Sequence, residues 1–176
     1  MIRFILGGAR SGKSGLAEQL AQASGLPVHY LATAQVWDKE MAKRVKHHQQ
    51  SRPQEWPYTE EPLEIIPVIE EQAQQGCVLL DCLTLWLTNV LLLDNEEQLA
   101  QRQQDLLDFL AKGVEGELIL VSNEVGQGIV PDNALARRFV DEAGRLHQRI
   151  AGLSDQVVFV TAGLPQVLKG PALELS

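Results

Sequence analysis

Gly7-Gly8-Ala9-Arg10-Ser11-Gly12-Lys13-Ser14 decides how this 176-residue chain is read. It follows the apolar run Ile2-Arg3-Phe4-Ile5-Leu6 and precedes a helical pattern over residues 14–23, which Gly25 and Pro27 stop. A strand, then G-x-x-x-x-G-K-S, then a helix is the order that phosphate binding requires. The glycines let backbone N–H groups converge, and the helix N-terminus adds positive potential. In this pattern Lys13 neutralises the β- and γ-phosphates of a nucleoside triphosphate and Ser14 ligates Mg²⁺. Gly7, Gly8, Ala9, Arg10, Ser11, Gly12, Lys13 and Ser14 are therefore all expected around the triphosphate.

Outward from that loop, four more short apolar runs read as buried strands: Val28-His29-Tyr30-Leu31-Ala32, Val78-Leu79-Leu80, Leu118-Ile119-Leu120-Val121 and Val157-Val158-Phe159-Val160. Strands apolar on both faces belong to a parallel sheet covered by helices. Asn133 is placed to cap a helix whose apolar positions Leu135, Phe139, Ala143, Leu146 and Ile150 form one buried face. The expectation is an α/β fold with a mostly parallel open sheet flanked by helices, in a single domain over residues 1–176. Residues 51–67, with Pro53, Pro57, Pro62 and Pro67, read as an ordered loop wrapping the site. Residues 83–93 are apolar on more than one helical face, which fits either deep burial or a subunit interface.

The composition sets bounds on partners. Hydrophobic residues make up 45% of the chain, enough for one substantial core, and the formal net charge is −8. An acidic surface argues against general nucleic-acid or membrane-surface binding, so phosphate must be met locally. Cys77 and Cys82 fit neither a redox pair nor a zinc set, which points to a reducing cytoplasm. No stretch reaches the length of a membrane span.

Two further features bear on chemistry. Val78-Leu79-Leu80-Asp81 has the Walker B form, apolar run plus acid, and places Asp81 near the magnesium; its plain alternative is an ordinary strand-end aspartate. Residues 38–48 read as a helix capped by Asp38, on which Met41, Val45 and His48 share the inward stripe while His47 lies on the wet face. From the pattern alone His48 is either a hydrogen-bonded packing residue or a catalytic group. The adjacent pair is poorly spaced for a metal.

Several strings together resemble the adenosylcobinamide kinase/adenosylcobinamide-phosphate guanylyltransferase family. Beside the phosphate loop they are Tyr30-Leu31-Ala32-Thr33-Ala34, Arg44-Val45-Lys46-His47-His48 continuing to Arg52-Pro53, and Asp81-Cys82-Leu83-Thr84-Leu85-Trp86-Leu87-Thr88-Asn89. Ser122-Asn123-Glu124-Val125-Gly126-Gln127-Gly128-Ile129-Val130-Pro131 and Ala143-Gly144-Arg145-Leu146-His147-Gln148-Arg149 complete the set. The resemblance implies a RecA-like P-loop NTPase fold and two reactions. Adenosylcobinamide is phosphorylated on its aminopropanol hydroxyl with ATP or GTP; GMP from GTP is then transferred to that phosphate through a guanylyl-histidine. It places the nucleophile at His48, with His47 as the one-residue alternative. It places GTP contacts at Ala32, Thr33, Ala34, Gln49, Gln50, Ser51, Arg52, Glu60 and Asp81, and it implies a homotrimer. Glu60 would read the guanine N1–H and amino group, or else be a solvated loop residue. Asn123 and Glu124 serve either turn chemistry or contact with substrate or metal-bound water. A P-loop small-molecule kinase that never uses the histidine, and a nucleotide-dependent switch, are the competing readings.

Overall fold

The computed structural model describes residues 1–34, 53, 55–93 and 95–173. The period-two alternation of the apolar runs settles the architecture. Ile2, Phe4, Leu6, Val78, Leu80, Leu118, Leu120 and Val157 face one side of the sheet, and Ile5, Cys77, Leu79, Ile119, Val121, Val158 and Val160 face the other. Both sides are buried, as a parallel sheet between helices demands.

The elements run β1 (Ile2–Gly7), α1 (Lys13–Ala23), β2 (Val28–Ala32), β3 (Tyr58–Glu60), α2 (Ile65–Gln72), β4 (Cys77–Asp81), α3 (Leu83–Leu91), α4 (Glu96–Lys112), β5 (Glu117–Asn123), α5 (Ala134–Leu153), β6 (Gln156–Thr161) and β7 (Leu164–Lys169). Seven strands form one sheet in the order β3-β2-β4-β5-β1-β6-β7. All neighbours are parallel except β7, which returns antiparallel on β6. Residues of α2, α3, α4 and α5 build the core on one face, and α1 covers the other with Leu16, Ala17, Leu20 and Ala21.

Two expectations change, and one pair of alternatives narrows. Residues 51–67 are not all loop: among those described, Tyr58–Glu60 pairs with β2, and Ile65 begins α2. Pro67 sits in the first turn of that helix, where a missing N–H costs nothing. Leu135 lies 53% exposed although its helix-mates Ala143, Leu146 and Ile150 are buried. Its helix has 20 residues, ~30 Å, against ~20 Å for a six-residue strand, so the first turns overhang the sheet. Of the alternatives for residues 83–93, Leu83, Trp86, Leu87, Val90 and Leu91 are buried within the chain itself. The Trp86 indole N–H donates to the Leu63 carbonyl at 3.0 Å, and only Leu92 and Leu93 emerge.

Candidate active site

The phosphate loop is held by close contacts that its sequence requires. A Cβ at Gly7 would stand 2.5 Å from Ser11 Oγ and 2.6 Å from the Val160 carbonyl oxygen, so that position excludes any side chain. Arg10 and Gly12 have left-handed backbones, φ 56° and 96°, the alternation that gathers successive N–H groups into an anion-binding concavity. No side chain caps α1 and no acid lies in its first turn. Its free N–H groups and the positive end of its dipole therefore serve the loop. Lys13 is buried and folds back so that Nζ donates to the Gly8 carbonyl at 3.1 Å. Ser11 Oγ is buried with no hydrogen-bond partner among the described residues, an orphaned hydroxyl that suits an oxygen-rich ligand.

Two braces on this loop come from distant segments. Glu124 N–H donates to the Gly7 carbonyl at 3.0 Å, and Gly163 N–H donates to the Ser11 carbonyl at 2.8 Å. Gly163 belongs to the turn between β6 and β7, where Ala162 and Gly163 both have positive φ, 52° and 78°. Two such residues make the tight hairpin that presses its tip onto the loop.

A second row of residues lies along the same sheet edge. Ala32 is in register with Glu60 on one side and with Asp81 on the other, so three residues far apart in sequence stand side by side at the ends of β3, β2 and β4. With strands ~4.8 Å apart, Asp81 is ~10 Å and Glu60 ~19 Å from β1 across the sheet. Asp81 Oδ2 accepts from the Tyr30 hydroxyl at 3.1 Å, and Glu60 Oε1 accepts from the Tyr58 hydroxyl. Thr33 is fully buried, and its polar atoms are engaged. Its hydroxyl donates to the Cys82 carbonyl at 2.7 Å and accepts from the Cys82 N–H, while its own carbonyl takes the Asn89 amide at 2.8 Å. These bonds fix the turn after β2.

Asn123 is bonded in a similar way. Its amide donates to Thr84 Oγ1 at 2.9 Å, tying the end of β5 to the start of α3. Beside it, burial pushes the Cys82 thiol up to about 11, with the Asp81 charge adding to the shift, and Cys77 is pushed up to about 12 by burial and Glu117. Both are free, buried and inert as nucleophiles near neutrality. Glu124 is arranged differently from Asn123. One carboxylate oxygen accepts the Gly126 N–H at 2.6 Å, and the other lies 3.9 Å from Nδ1 of His147. His147 Nε2 pairs with Ser122 Oγ at 2.8 Å, and the ring meets Phe4 edge-on. Burial lowers the His147 pKa, partly opposed by Glu124, which favours the neutral ring.

The structure thus brings Gly7 to Ser14, Ala32 to Ala34, Glu60 and Asp81 to one edge. The expected nucleophile His48, its alternative His47, and Gln49, Gln50, Ser51 and Arg52 lie outside the described residues. Residues to which the motif reading gave no role are Gly163, which braces the loop, and His147, beside Glu124. The first carries only a weak turn signal, and the second is 25 residues from its serine partner.

A glycine-rich loop between β1 and α1, with β5 inserted between β1 and the acid-bearing β4, defines a P-loop NTPase of the RecA-like kind. The RadB recombinase shares this fold, with a TM-score of 0.53 and 14% identity over 90% of this chain and 73% of that one. At the level of sequence, a family model described as cobinamide kinase / cobinamide phosphate guanyltransferase matches residues 3–168. The bifunctional adenosylcobalamin biosynthesis protein CobP of Pseudomonas aeruginosa is 53% identical, covering 97% of this chain and 98% of its own. The bifunctional adenosylcobalamin biosynthesis protein CobU of Salmonella typhimurium is 37% identical, over 96% and 100%. The chain belongs to the cobinamide kinase/cobinamide phosphate guanyltransferase family.

Proposed function

We propose that one phosphate cradle serves both reactions of this enzyme and that the outcome depends on which phosphorus atom is attacked. In the kinase step the aminopropanol hydroxyl of adenosylcobinamide attacks the γ-phosphorus of ATP or GTP. The O–P bond forms, the bond to the β-phosphate oxygen breaks, and Lys13 with the loop N–H groups stabilises the charge that moves onto the leaving diphosphate. In the guanylyl step an imidazole nitrogen of His48 attacks the α-phosphorus of GTP. Pyrophosphate leaves, and the cobinamide phosphate then displaces the histidine from the GMP group. Neutral imidazole is a competent nucleophile near pH 7.

The observation that carries this reading is the continuous sheet edge on which the loop, Asp81, Ala32 and Glu60 stand in register. It supports a triphosphate at the β1 end and a base toward β3, where the Glu60 carboxylate accepts from guanine groups that adenine lacks. Ser14 and Asp81 suit Mg²⁺: a hydroxyl and a carboxylate are hard oxygen donors, and phosphate oxygens complete such a site without a protein cage. Among the described residues no three His, Cys, Asp or Glu side chains gather into one. Bound there, the ion would neutralise triphosphate charge. On this reading the enzyme acts in the cytoplasm as a homotrimer of single-domain chains. Among the described residues no helix is long and apolar enough to cross a membrane.

Incubation with α-labelled GTP tests the histidine step. An acid-labile protein label is expected, absent in His48→Ala; no label on the intact protein refutes it. Lys13→Ala should lose both activities, and surviving self-guanylylation would refute the shared cradle.

A further inference from the structure

We propose that Glu124 accepts the proton of the acceptor hydroxyl in the phosphoryl-transfer step and that His147 is the positioning residue that aims its carboxylate. The assignment rests on the reading above that the γ-phosphorus sits in the phosphate loop. Glu124 is joined to that loop by its own backbone, through the bond from its N–H to the Gly7 carbonyl. It stands at the C-terminal edge of the sheet, where open α/β folds take their ligands. Its side chain is 22% exposed, partly withdrawn from bulk water.

What surrounds that carboxylate is a fixed mount. The Gly126 N–H holds one oxygen at 2.6 Å, and His147 faces the other at 3.9 Å. His147 is itself anchored, at Nε2 by Ser122 and by a T-shaped ring contact with Phe4. In the tautomer that serves this role the ring proton is on Nδ1, on the Glu124 side, and Nε2 accepts from the Ser122 hydroxyl. The nearby carboxylate charge favours that tautomer, with Nδ1 3.9 Å behind the carboxylate and the serine satisfying the other ring nitrogen. Asn123, one residue earlier, has its amide spent on Thr84. Burying a histidine at the cost of its charged form, between a serine and a glutamate at the phosphate edge, is a costly arrangement for a turn that Gly126 alone would close.

The step balances. The acceptor oxygen bonds to the γ-phosphorus, the bond from that phosphorus to the bridging oxygen breaks with its electron pair leaving on the nucleoside diphosphate, and the hydroxyl proton passes to Glu124 and then to solvent. No such proton is released when cobinamide phosphate, an anion, discharges the guanylyl-histidine. The two half-reactions therefore differ in their need for Glu124.

The test measures kinase turnover of adenosylcobinamide with ATP beside self-guanylylation by α-labelled GTP. Glu124→Gln keeps the acceptor for Gly126 but not the basicity. It should lower kinase kcat about 100-fold or more, with nucleotide KM within about threefold and self-guanylylation retained. His147→Gln and Ser122→Ala should each lower kinase kcat about 3- to 10-fold with KM unchanged. Full kinase turnover in Glu124→Gln overturns the assignment, as does parallel loss of self-guanylylation and thermal stability. Unchanged turnover in Ser122→Ala overturns the His147 part even if His147→Gln fails to fold. Absence of kinase activity in the unaltered protein would sink the underlying reading, and is recognised because the parent fails along with the variants.

Discussion

Gly7 and Gly8 are adjacent glycines with opposite tolerances. An alanine methyl at Gly7 would meet Ser11 Oγ at 2.5 Å and the Val160 carbonyl at 2.6 Å; at Gly8 it would meet nothing within 4 Å. Real carbon–oxygen contacts do not reach those distances, so Gly7→Ala must push apart β1 and β6 or unseat the loop. Overpacking of this kind costs about 1–3 kcal/mol, or roughly 2–12 °C in Tm for a chain of this length. Ser11 Oγ is one of the two obstacles and makes no hydrogen bond among the described residues, so deleting it loses little. Ser11→Ala in the Gly7→Ala background should recover part of the loss, but not all, because the Val160 carbonyl stays. Urea unfolding of both single variants and the double variant gives the coupling directly, and Gly8→Ala should stay within about 0.5 kcal/mol of the parent. Equal stabilities for Gly7→Ala and Gly8→Ala, or strict additivity with Ser11→Ala, would refute this account of the loop.

Glu60→Gln should lower the preference for GTP over ATP about tenfold or more by removing a charged acceptor for the guanine N1–H and amino group; competition of ATP against self-guanylylation reads the ratio, and an unchanged ratio removes Glu60 from base recognition. Burial lowers the pKa values of His29 and His147 below 6.5, so the unfolded chain binds protons first as pH falls. Stability is therefore full above pH 6.5 and declines from there toward the lowered folded values, and His147→Gln should flatten part of that decline in urea midpoints taken between about pH 5 and 8. At Gly163, with φ 78° and open space at its Cβ, only the backbone conformation is demanding. Gly163→Asn should fold and bind nucleotide much like the parent, whereas Gly163→Val should lose about 1–2 kcal/mol and raise nucleotide KM, because the brace on Ser11 is strained.

The parts of this molecule legible from sequence are those where one short-range rule governs. The five buried strands show because each alternates between two packed faces, and the loop shows because its glycines and lysine are fixed by phosphate geometry. β3 and β7 escaped for physical reasons. Tyr58–Glu60 is three residues long, bordered by prolines and paired on one side only. Leu164–Lys169 is an exposed edge strand with a proline, entered through an Ala-Gly turn that lacks the usual asparagine or aspartate. The Pro67 turn looked like loop because a proline in a first helical turn cannot be told from one in a coil without the rest of the helix. His147 was visible as one residue of a family string, but its tautomer depends on Ser122 and Glu124, which only the pairing of β5 with the rest of the fold brings near.

Convergence at the sheet edge does not by itself make a residue functional. In a parallel sheet every strand ends on the same side, so Ala32, Glu60, Asp81, Asn123 and Glu124 would meet there whatever their roles. What separates them is how their polar atoms are occupied. Thr33 and Asn123 have theirs bound to neighbouring backbone or side chains and hold turns in place. Ser11 keeps a buried hydroxyl with no partner among the described residues, the first turn of α1 has no side-chain cap, and Glu124 has a neutral histidine mounted behind it. A desolvated group left without a partner in the folded protein is costly, and Ser11 Oγ is such a group at the phosphate loop. A ligand that supplies oxygen acceptors to the loop and a hydroxyl proton to Glu124 recovers that cost, which is the chemistry of phosphoryl transfer to an alcohol.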